Sequence, residues 1–285
     1  MISCYKIIQE MQAAVSQWRA EGLRTALVPT MGGLHEGHLA LVKAAMKTHD
    51  KIVVSLYVNP TQFAAHEDLD NYPRQQETDL ALLAQLGDKV CAFAPDSLYQ
   101  EDHATFITPQ GCALPLEGVH RPHFFQGVAT VVMRLFQTVP VHSAYFGEKD
   151  FQQLAVIRQM VRDFNWPITI HAVPTMRASD GLALSSRNAY LSAADRAIAP
   201  RLYQLMQSCA QDVASGIAPD AACTQAITTL HAEGFGNVDY FAFHDAVSLQ
   251  PTDKVTASTR LMAALWLGQT RLIDNDSFEN LCNAQ

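Results

Sequence analysis

Four largely apolar runs in this chain end at a proline, and that punctuation constrains the fold more than any other feature. Residues 25–28 (Thr-Ala-Leu-Val) stop at Pro29, residues 52–58 at Asn59-Pro60, residues 89–93 at Ala94-Pro95 and residues 168–173 at Pro174. Runs of this length read as buried strands, and proline, which has no N–H to give a ladder, closes them. Between the strands the spacing turns helical. Leu39, Val42 and Met46 share a face over residues 38–46, residues 79–86 form a second helix closed by Gly87, and residues 128–136 read as a buried helix, apolar at nearly every position. A short strand at 144–146 leads into an amphipathic helix over 151–164. Alternation of this kind predicts an α/β fold: a parallel sheet with right-handed crossovers and helices on both faces.

The character changes after Tyr190. Residues 193–215 and 221–233 read as helices and residues 238–244 and 260–266 as strands, which predicts a second, smaller α+β domain. The division expected is 1–176 and 177–285.

Composition narrows the function classes. Hydrophobic residues at 48% and charged residues at 17% exclude a disordered tail or a charged coiled coil. A net charge of −8 argues against a nucleic-acid partner or an anionic membrane surface, both of which need basic surface. It leaves room for an anionic substrate held by a local cluster of donors. The longest apolar run, residues 261–267, is far short of the roughly 20 residues a membrane helix needs. Polar residues come too early at the amino end for a signal-peptide core. The six cysteines (Cys4, Cys91, Cys112, Cys209, Cys223 and Cys282) lack zinc or redox-motif spacing. They read as free thiols in a reducing compartment, so a cytoplasmic location is expected.

Ligands of parallel sheets bind beyond the carboxyl ends of the strands, so the segments that follow the strands carry the functional argument. The first, Pro29-Thr-Met-Gly-Gly-Leu-His-Glu-Gly-His38, leaves a strand and opens a helix. Free backbone N–H groups and the positive end of the helix dipole would suit phosphate there. Gly32 and Gly37 have the spacing of half a Walker loop, but His38-Leu39 stands where Lys-Ser/Thr is required, so a P-loop is excluded, as is the dinucleotide fingerprint. What remains is His35-x-Gly37-His38. Two imidazoles can donate to phosphate oxygens as charge builds on them; the plainer alternative is a histidine pair that caps the helix.

The second segment offers Gln62, whose amide both donates and accepts, against the alternative of a solvated loop residue. In the third, Asp150 and Gln153 have capping-box spacing, while Lys149 could face phosphate and Gln153 a substrate. In the fourth, Ser185, Ser186 and Arg187 make a compact donor set for a polyphosphate, or an ordinary loop. His142, His171 and His231 lie on apolar stretches and read as structural. Asp79 reads as a helix cap, with metal ligation as its alternative.

Taken in order, these segments resemble the pantothenate synthetase (pantoate–β-alanine ligase) family of the His-x-Gly-His nucleotidyltransferase superfamily. The matching stretches are Pro29-Thr-Met-Gly-x-Leu-His35-x-Gly-His38, Val58-Asn-Pro-x-Gln62-Phe, Phe146-Gly-Glu-Lys149-Asp150-x-Gln-Gln153 and Asp180-Gly-Leu-Ala-x-Ser-Ser-Arg187-Asn, with Leu265-Trp-Leu-Gly-x-Thr-Arg-Leu-Ile-Asp-Asn275 near the end. The resemblance implies a Rossmann-like ATP- and pantoate-binding domain, a C-terminal lid domain and a homodimer. It implies condensation of (R)-pantoate with β-alanine, driven by ATP with Mg²⁺, through a pantoyl adenylate that releases pyrophosphate and then AMP, in coenzyme A biosynthesis.

Carried over by position, it implies that Met31, Gly32, Gly33, Leu34, His35, Glu36, Gly37 and His38 wrap ATP, with His38 as proton donor and His35 on the phosphates. Gly147, Glu148, Lys149 and Asp150 would meet ribose and phosphate, and Met176 would border adenine. Leu184, Ser185, Ser186 and Arg187 would clamp phosphate. Gln62 would hold pantoate and β-alanine, and Gln153 pantoate. The chemistry would fall to His38, His35, Lys149 and Arg187. The metal ligands are not implied.

The chain departs from the family at Arg121-Pro-His123-Phe124-Phe125-Gln-Gly127-Val, where the family usually reads Arg-Pro-Gly-His-Phe-x-Gly-Val, and at Leu98-Tyr99-Gln100, where Met-Tyr-Pro is frequent. Two other readings share part of the pattern: a nucleotidylyltransferase acting on a phosphorylated small molecule, and an ATP-binding module without turnover. The first would want further Lys or Arg for its substrate; the second would not need every motif residue present.

Overall fold

The computed structural model describes residues 2–64 and 67–283. The chain divides into two compact units, Met1–Glu148 with Gln152–Pro174, and Lys149–Phe151 with Thr175–Gln285.

The first unit holds strands β1 (Cys4–Tyr5), β2 (Thr25–Thr30), β3 (Lys51–Leu56), β4 (Val90–Phe93), β5 (Ser143–Gly147) and β6 (Thr169–Val173), in sheet order β1-β4-β3-β2-β5-β6. Every pairing is parallel, with Val28 opposite Val54 and Leu27 opposite Ala144. Side chains alternate between the two faces. Ala26, Val28, Ile52, Val54 and Ala92 pack with Leu39 and Val42 of helix Glu36–Met46 and Leu83 of helix Gln76–Ala84. Leu27 and Val53 point the other way and are equally buried, so both faces are covered. From β2 the chain builds β3 and β4 on one side and β5 and β6 on the other. The order therefore reverses between β2 and β5, the switch point at which such sheets bind ligands.

The second unit has an antiparallel sheet of β7 (Val238–Asp245), β8 (Thr259–Leu267) and β9 (Thr270–Ser277). Phe241, Phe243, Leu261 and Leu265 of this sheet meet Leu202 and Met206 of helix Arg201–Ala214, Leu230 of helix Pro219–Ala232 and Leu281 of helix Phe278–Asn283.

The architecture is the expected one, with local differences. Strand β1 is two residues long, too short to show a period, and helix Ile8–Ala20 follows it. The helix expected over 193–215 is two, Ala193–Ile198 and Arg201–Ala214, because Pro200 between them has no N–H to continue the ladder. Strand β9 lies beyond the two strands expected in this unit. Its buried positions include Asp274 and Asn275, so it lacks a clean apolar alternation.

Candidate active site

The loop from Thr30 to His38 leaves β2 at the switch point. Gly32 and Gly33 both have positive φ, +85° and +62°, a region open to glycine without strain. The Thr30 hydroxyl donates to the Ser55 carbonyl (2.5 Å) and accepts from Gly32 N–H (3.2 Å). Next comes an acidic anchor: Asp79 Oδ2 accepts from Gly33 N–H (2.9 Å) and Oδ1 from Leu34 N–H (2.8 Å). Asp79 is 1% exposed. Burial pushes its carboxyl up from the ordinary value, and the two N–H bonds counter only part of that rise. It lies in the first turn of helix Gln76–Ala84, but its carboxylate reaches this loop instead of closing its own helix.

This corrects the expectation of open phosphate donors. The N–H groups of Gly32, Gly33 and Leu34 are already bonded inside the protein. These three N–H groups are therefore not donors this loop would offer a triphosphate.

His35 is the N-cap of helix Glu36–Met46, with extended backbone (φ −139°), and its Nδ1 accepts from Gly37 N–H (3.1 Å). His38 Nδ1 in turn accepts from His35 N–H at 3.4 Å, a reciprocal capping pattern. The capping alternative thus holds, and it also shapes the chemistry. An Nδ1 that accepts has no proton, so the neutral ring carries its proton on Nε2. The two half-buried rings lie 4.1 Å apart with planes at 35°. Glu36 between them is exposed and meets Lys43 at 3.4 Å.

Gln62 sits in the short turn Pro60–Gln62 after β3. Its Oε1 accepts from Asn59 Nδ2 (3.0 Å), and its Nε2 is 3.2 Å from Met31 Sδ in the first loop. Asn59, buried to 1% exposure, also donates to the Gly127 carbonyl (3.2 Å) and accepts from Tyr99 OH (3.0 Å) and Thr61 Oγ1 (2.9 Å). Gly127 allows helix Phe124–Thr138 to approach, since a Cβ there would stand 2.4 Å from the Thr61 carbonyl oxygen.

Arg121 braces the same turn. It forks onto Glu67 (2.7 and 2.6 Å), reaches Glu117 (3.4 Å) and the Gln62 carbonyl (3.4 Å), and lies over the Phe124 ring at 3.8 Å. His123 in this atypical segment is exposed and makes no capping bond. Asn59, Tyr99 and Arg121 lie in segments singled out above but are not among the candidate site residues. Asp79, read as a helix cap, instead anchors a loop 45 residues away, a role that nothing local marks.

Gln153 is half-buried. Its neighbour Gln152 is buried and structural, accepting from Glu117 N–H (3.0 Å) and donating to the carbonyls of Cys112 (3.0 Å) and Pro115 (2.6 Å). The expected capping box is altered: Asp150 ends a short turn, Glu148–Asp150, that runs straight into helix Phe151–Asp163. Asp150 lies 3.9 Å from Lys149 Nζ. Gly147 ends β5 and Glu148 follows it.

In the second unit the Lys149 carbonyl accepts from Asn275 Nδ2 (2.8 Å), and Asn275 Oδ1 accepts from Arg260 (2.9 Å). Residues 176–184 form a small hairpin, with Leu184 N–H on the Met176 carbonyl (2.9 Å) and Arg177 bridged to Ala183. Arg177 clamps Asp274 in a fork (2.6 and 2.9 Å) and lies over the Tyr203 ring at 3.4 Å. Ser185 caps the turn Ser186–Tyr190 by accepting from Arg187 N–H (3.3 Å), so one of its lone pairs is committed to structure. Met176 is exposed, and Leu184, Ser186 and Arg187 are half-buried.

Comparison with known proteins places the chain. A family model described as Pantoate-beta-alanine ligase matches residues 3–277. A pantothenate synthetase of Caulobacter vibrioides is 47% identical over 275 residues, 95% of this chain and 96% of that protein. The crystal structure of a pantothenate synthetase from Thermus thermophilus superposes with TM-score 0.91 at 41% identity, covering 97% of this chain and 99% of that one. A pantoate-beta-alanine ligase from Francisella tularensis, complexed with beta-gamma ATP and beta-alanine, superposes with TM-score 0.83 at 31% identity, covering 98% of each chain. The chain belongs to the pantoate–β-alanine ligase family of enzymes.

Proposed function

We propose that this enzyme joins (R)-pantoate to β-alanine in two steps at the expense of ATP. A pantoate carboxylate oxygen attacks the α-phosphorus, the bond to the β-phosphate breaks, and pyrophosphate leaves. The β-alanine amine then attacks the acyl carbon of pantoyl adenylate, the bond to the phosphate oxygen breaks, AMP leaves, and the amine loses a proton. The observation that carries the reading is the His35–His38 pair, with both Nδ1 atoms committed to backbone donors beside the switch point. With Nδ1 accepting, Nε2 is the ring nitrogen that bears the proton, and a donor held in place toward an oxyanion lowers the barrier of such a transfer.

Gln62 supports the substrate assignment. Its amide is held by Asn59 and so suits a hydroxy acid, whereas a phosphorylated substrate would want added cations. The remaining roles follow the family resemblance. Met31–His38 and Gly147–Asp150 take ATP, Met176 borders adenine, and Lys149 and Leu184–Arg187 take phosphate. Gln153 holds pantoate, and residues 177–285 act as a lid over the adenylate, which water would otherwise hydrolyse. A homodimer in the cytoplasm belongs to the same reading.

Among the described residues no group of three or more His, Cys, Asp or Glu side chains is placed to hold a metal ion. The described residues thus present no dedicated Mg²⁺ cage, and no step above passes through one. Mg²⁺ ordinarily enters such sites on the oxygens of the nucleotide.

The test is mass spectrometry of products from ATP, Mg²⁺, pantoate and β-alanine. Pantothenate and AMP are expected together, and omission of β-alanine should leave pyrophosphate and pantoyl adenylate. Absence of AMP under all conditions would sink the reading in favour of a binding module.

A further inference from the structure

We propose that Asp79 is a positioning residue for this reaction: its carboxylate fills the N–H cradle of Gly33 and Leu34 and so sets the direction from which His35 and His38 reach the nucleotide. The inference rests on the ligase reading for its activity arm alone. Successive N–H groups that converge where the backbone turns through positive φ form a concavity that binds anions. In nucleotide-binding loops the anion is a ligand. Here the protein supplies its own, from 45 and 46 residues further along the chain.

A carboxylate at 1% exposure is costly to desolvate, and both its oxygens go to this loop. Neither oxygen caps its own helix, whose N-cap, Gln75, makes no side-chain bond. The consequence runs outward along the backbone. Leu34 N–H is tied to Asp79, the next residue is His35, and His35 N–H is the donor that orients His38 Nδ1. A rotation about the Gly33–Leu34 segment would therefore turn both imidazoles. Gly32 is confined by the same carboxylate, since a Cβ there would stand 3.1 Å from Oδ2. Asp79 acts only through this backbone.

The discriminating variant is Asp79→Asn, which keeps the size and one acceptor but turns an NH₂ toward one of the two N–H donors. A misplacement of about 1 Å can cost on the order of 100-fold in rate. With thermal unfolding as the fold control, kcat should fall about 10- to 100-fold while KM for ATP moves less than about threefold. The imidazole resonances of His35 and His38 should shift, and that of His244, in the other unit, should not. A folded variant in which either kcat or the two resonances stay at wild-type values overturns the proposal. If the variant does not fold, the wild-type enzyme decides: through-hydrogen-bond couplings from the Gly33 and Leu34 amides to the Asp79 carboxyl carbon are expected, and their absence overturns it. A wild-type enzyme that makes no pantothenate counts against the ligase reading alone, because the resonances are measured without substrate.

Discussion

Asn59 donates from Nδ2 to Oε1 of Gln62 at 3.0 Å, and this contact decides which end of the Gln62 amide remains a donor. The carbonyl end is occupied and the NH₂ end points toward Met31. Asn59→Asp would put an acceptor against two acceptors, Gln62 Oε1 and the Gly127 carbonyl. The amide should flip. KM for pantoate is expected to rise at least about tenfold, near 1.4 kcal/mol, the size of a buried hydrogen bond lost. Steady-state kinetics at saturating ATP check this, and an unchanged KM would show that the contact does not orient Gln62.

Gly127 gives a steric version of the same test. Alanine there would bring a Cβ to 2.4 Å from the Thr61 oxygen and 2.7 Å from Gln62 Cα, both backbone atoms that cannot swing aside. Overpacking of this kind costs about 1–3 kcal/mol. Gly127→Ala should lower the unfolding free energy by that amount and weaken pantoate binding, read by denaturant titration and calorimetry.

His38→Ala and Arg187→Ala should each remove most turnover without unfolding the protein. Loss of one preorganised donor to a developing charge costs about 100- to 1,000-fold in kcat. For His38 the hydrogen bond from the His35 N–H, worth about 1 kcal/mol, is lost as well. Circular dichroism and the coupled AMP assay separate fold from rate; near-normal turnover in either variant would count heavily against the assignment.

Arg177 belongs to the scaffold of the second unit. Its fork onto Asp274, whose side chain is 3% exposed, pins the hairpin 176–184 to β9. Arg177→Met would leave that carboxylate buried without a cation, held only by the Asn275 N–H, a loss of about 3–5 kcal/mol. Asp274→Asn leaves Arg177 with Asp276 at 3.7 Å and the Gly181 carbonyl at 3.2 Å, so it should cost less. Denaturant unfolding of the full chain orders the two, and equal losses would refute the charge argument.

Acid should destabilise the fold through histidines kept neutral. Burial lowers the pKa of His49 below its ordinary 6.5, with the neighbouring charges of His171, Arg24 and His142 adding to the effect and a bond to the Ala45 carbonyl opposing it. His244 is lowered by burial too, although its Nδ1–H donates to the Leu249 carbonyl at 2.9 Å. The unfolded chain then binds more protons once pH drops below 6.5, so this stability is present above that value and is lost as pH falls through the folded values. The thermal midpoint should drop as pH is lowered from about 7.5 to about 5, and His244→Asn, which keeps the donor and cannot titrate, should flatten the fall.

Much of the fold was legible in local pattern. Proline-stopped runs marked four parallel strands, though the proline fixed the end only in part: β4 and β6 stop just short of Pro95 and Pro174, whereas β3 ends at Leu56, before Pro60 is reached, and Pro29 lies inside β2, opposite Ser55, one residue from its end. The failures fell where position alone decides little. Strand β9 buries Asp274 on one face and Asn275 on the other, and a polar residue can be buried only when its partner arrives from elsewhere, here Arg177 and Arg260. The structure keeps the His-x-Gly-His pair at the switch point, while three N–H groups of the glycine loop beside it, expected to be open, are bonded within the protein.

What the amino-acid order determined alone was the alternation of elements, and with it the sheet, the switch point and the histidines at its mouth, since periodicity and turn chemistry act over a few residues. Tertiary structure alone decided which groups are left to bind a ligand. The N–H groups of Gly33 and Leu34 and the carbonyl of Gln62 look equally available on paper. They are withdrawn by Asp79 and Asn59, because a hydrogen bond is made by distance in space and not by separation along the chain.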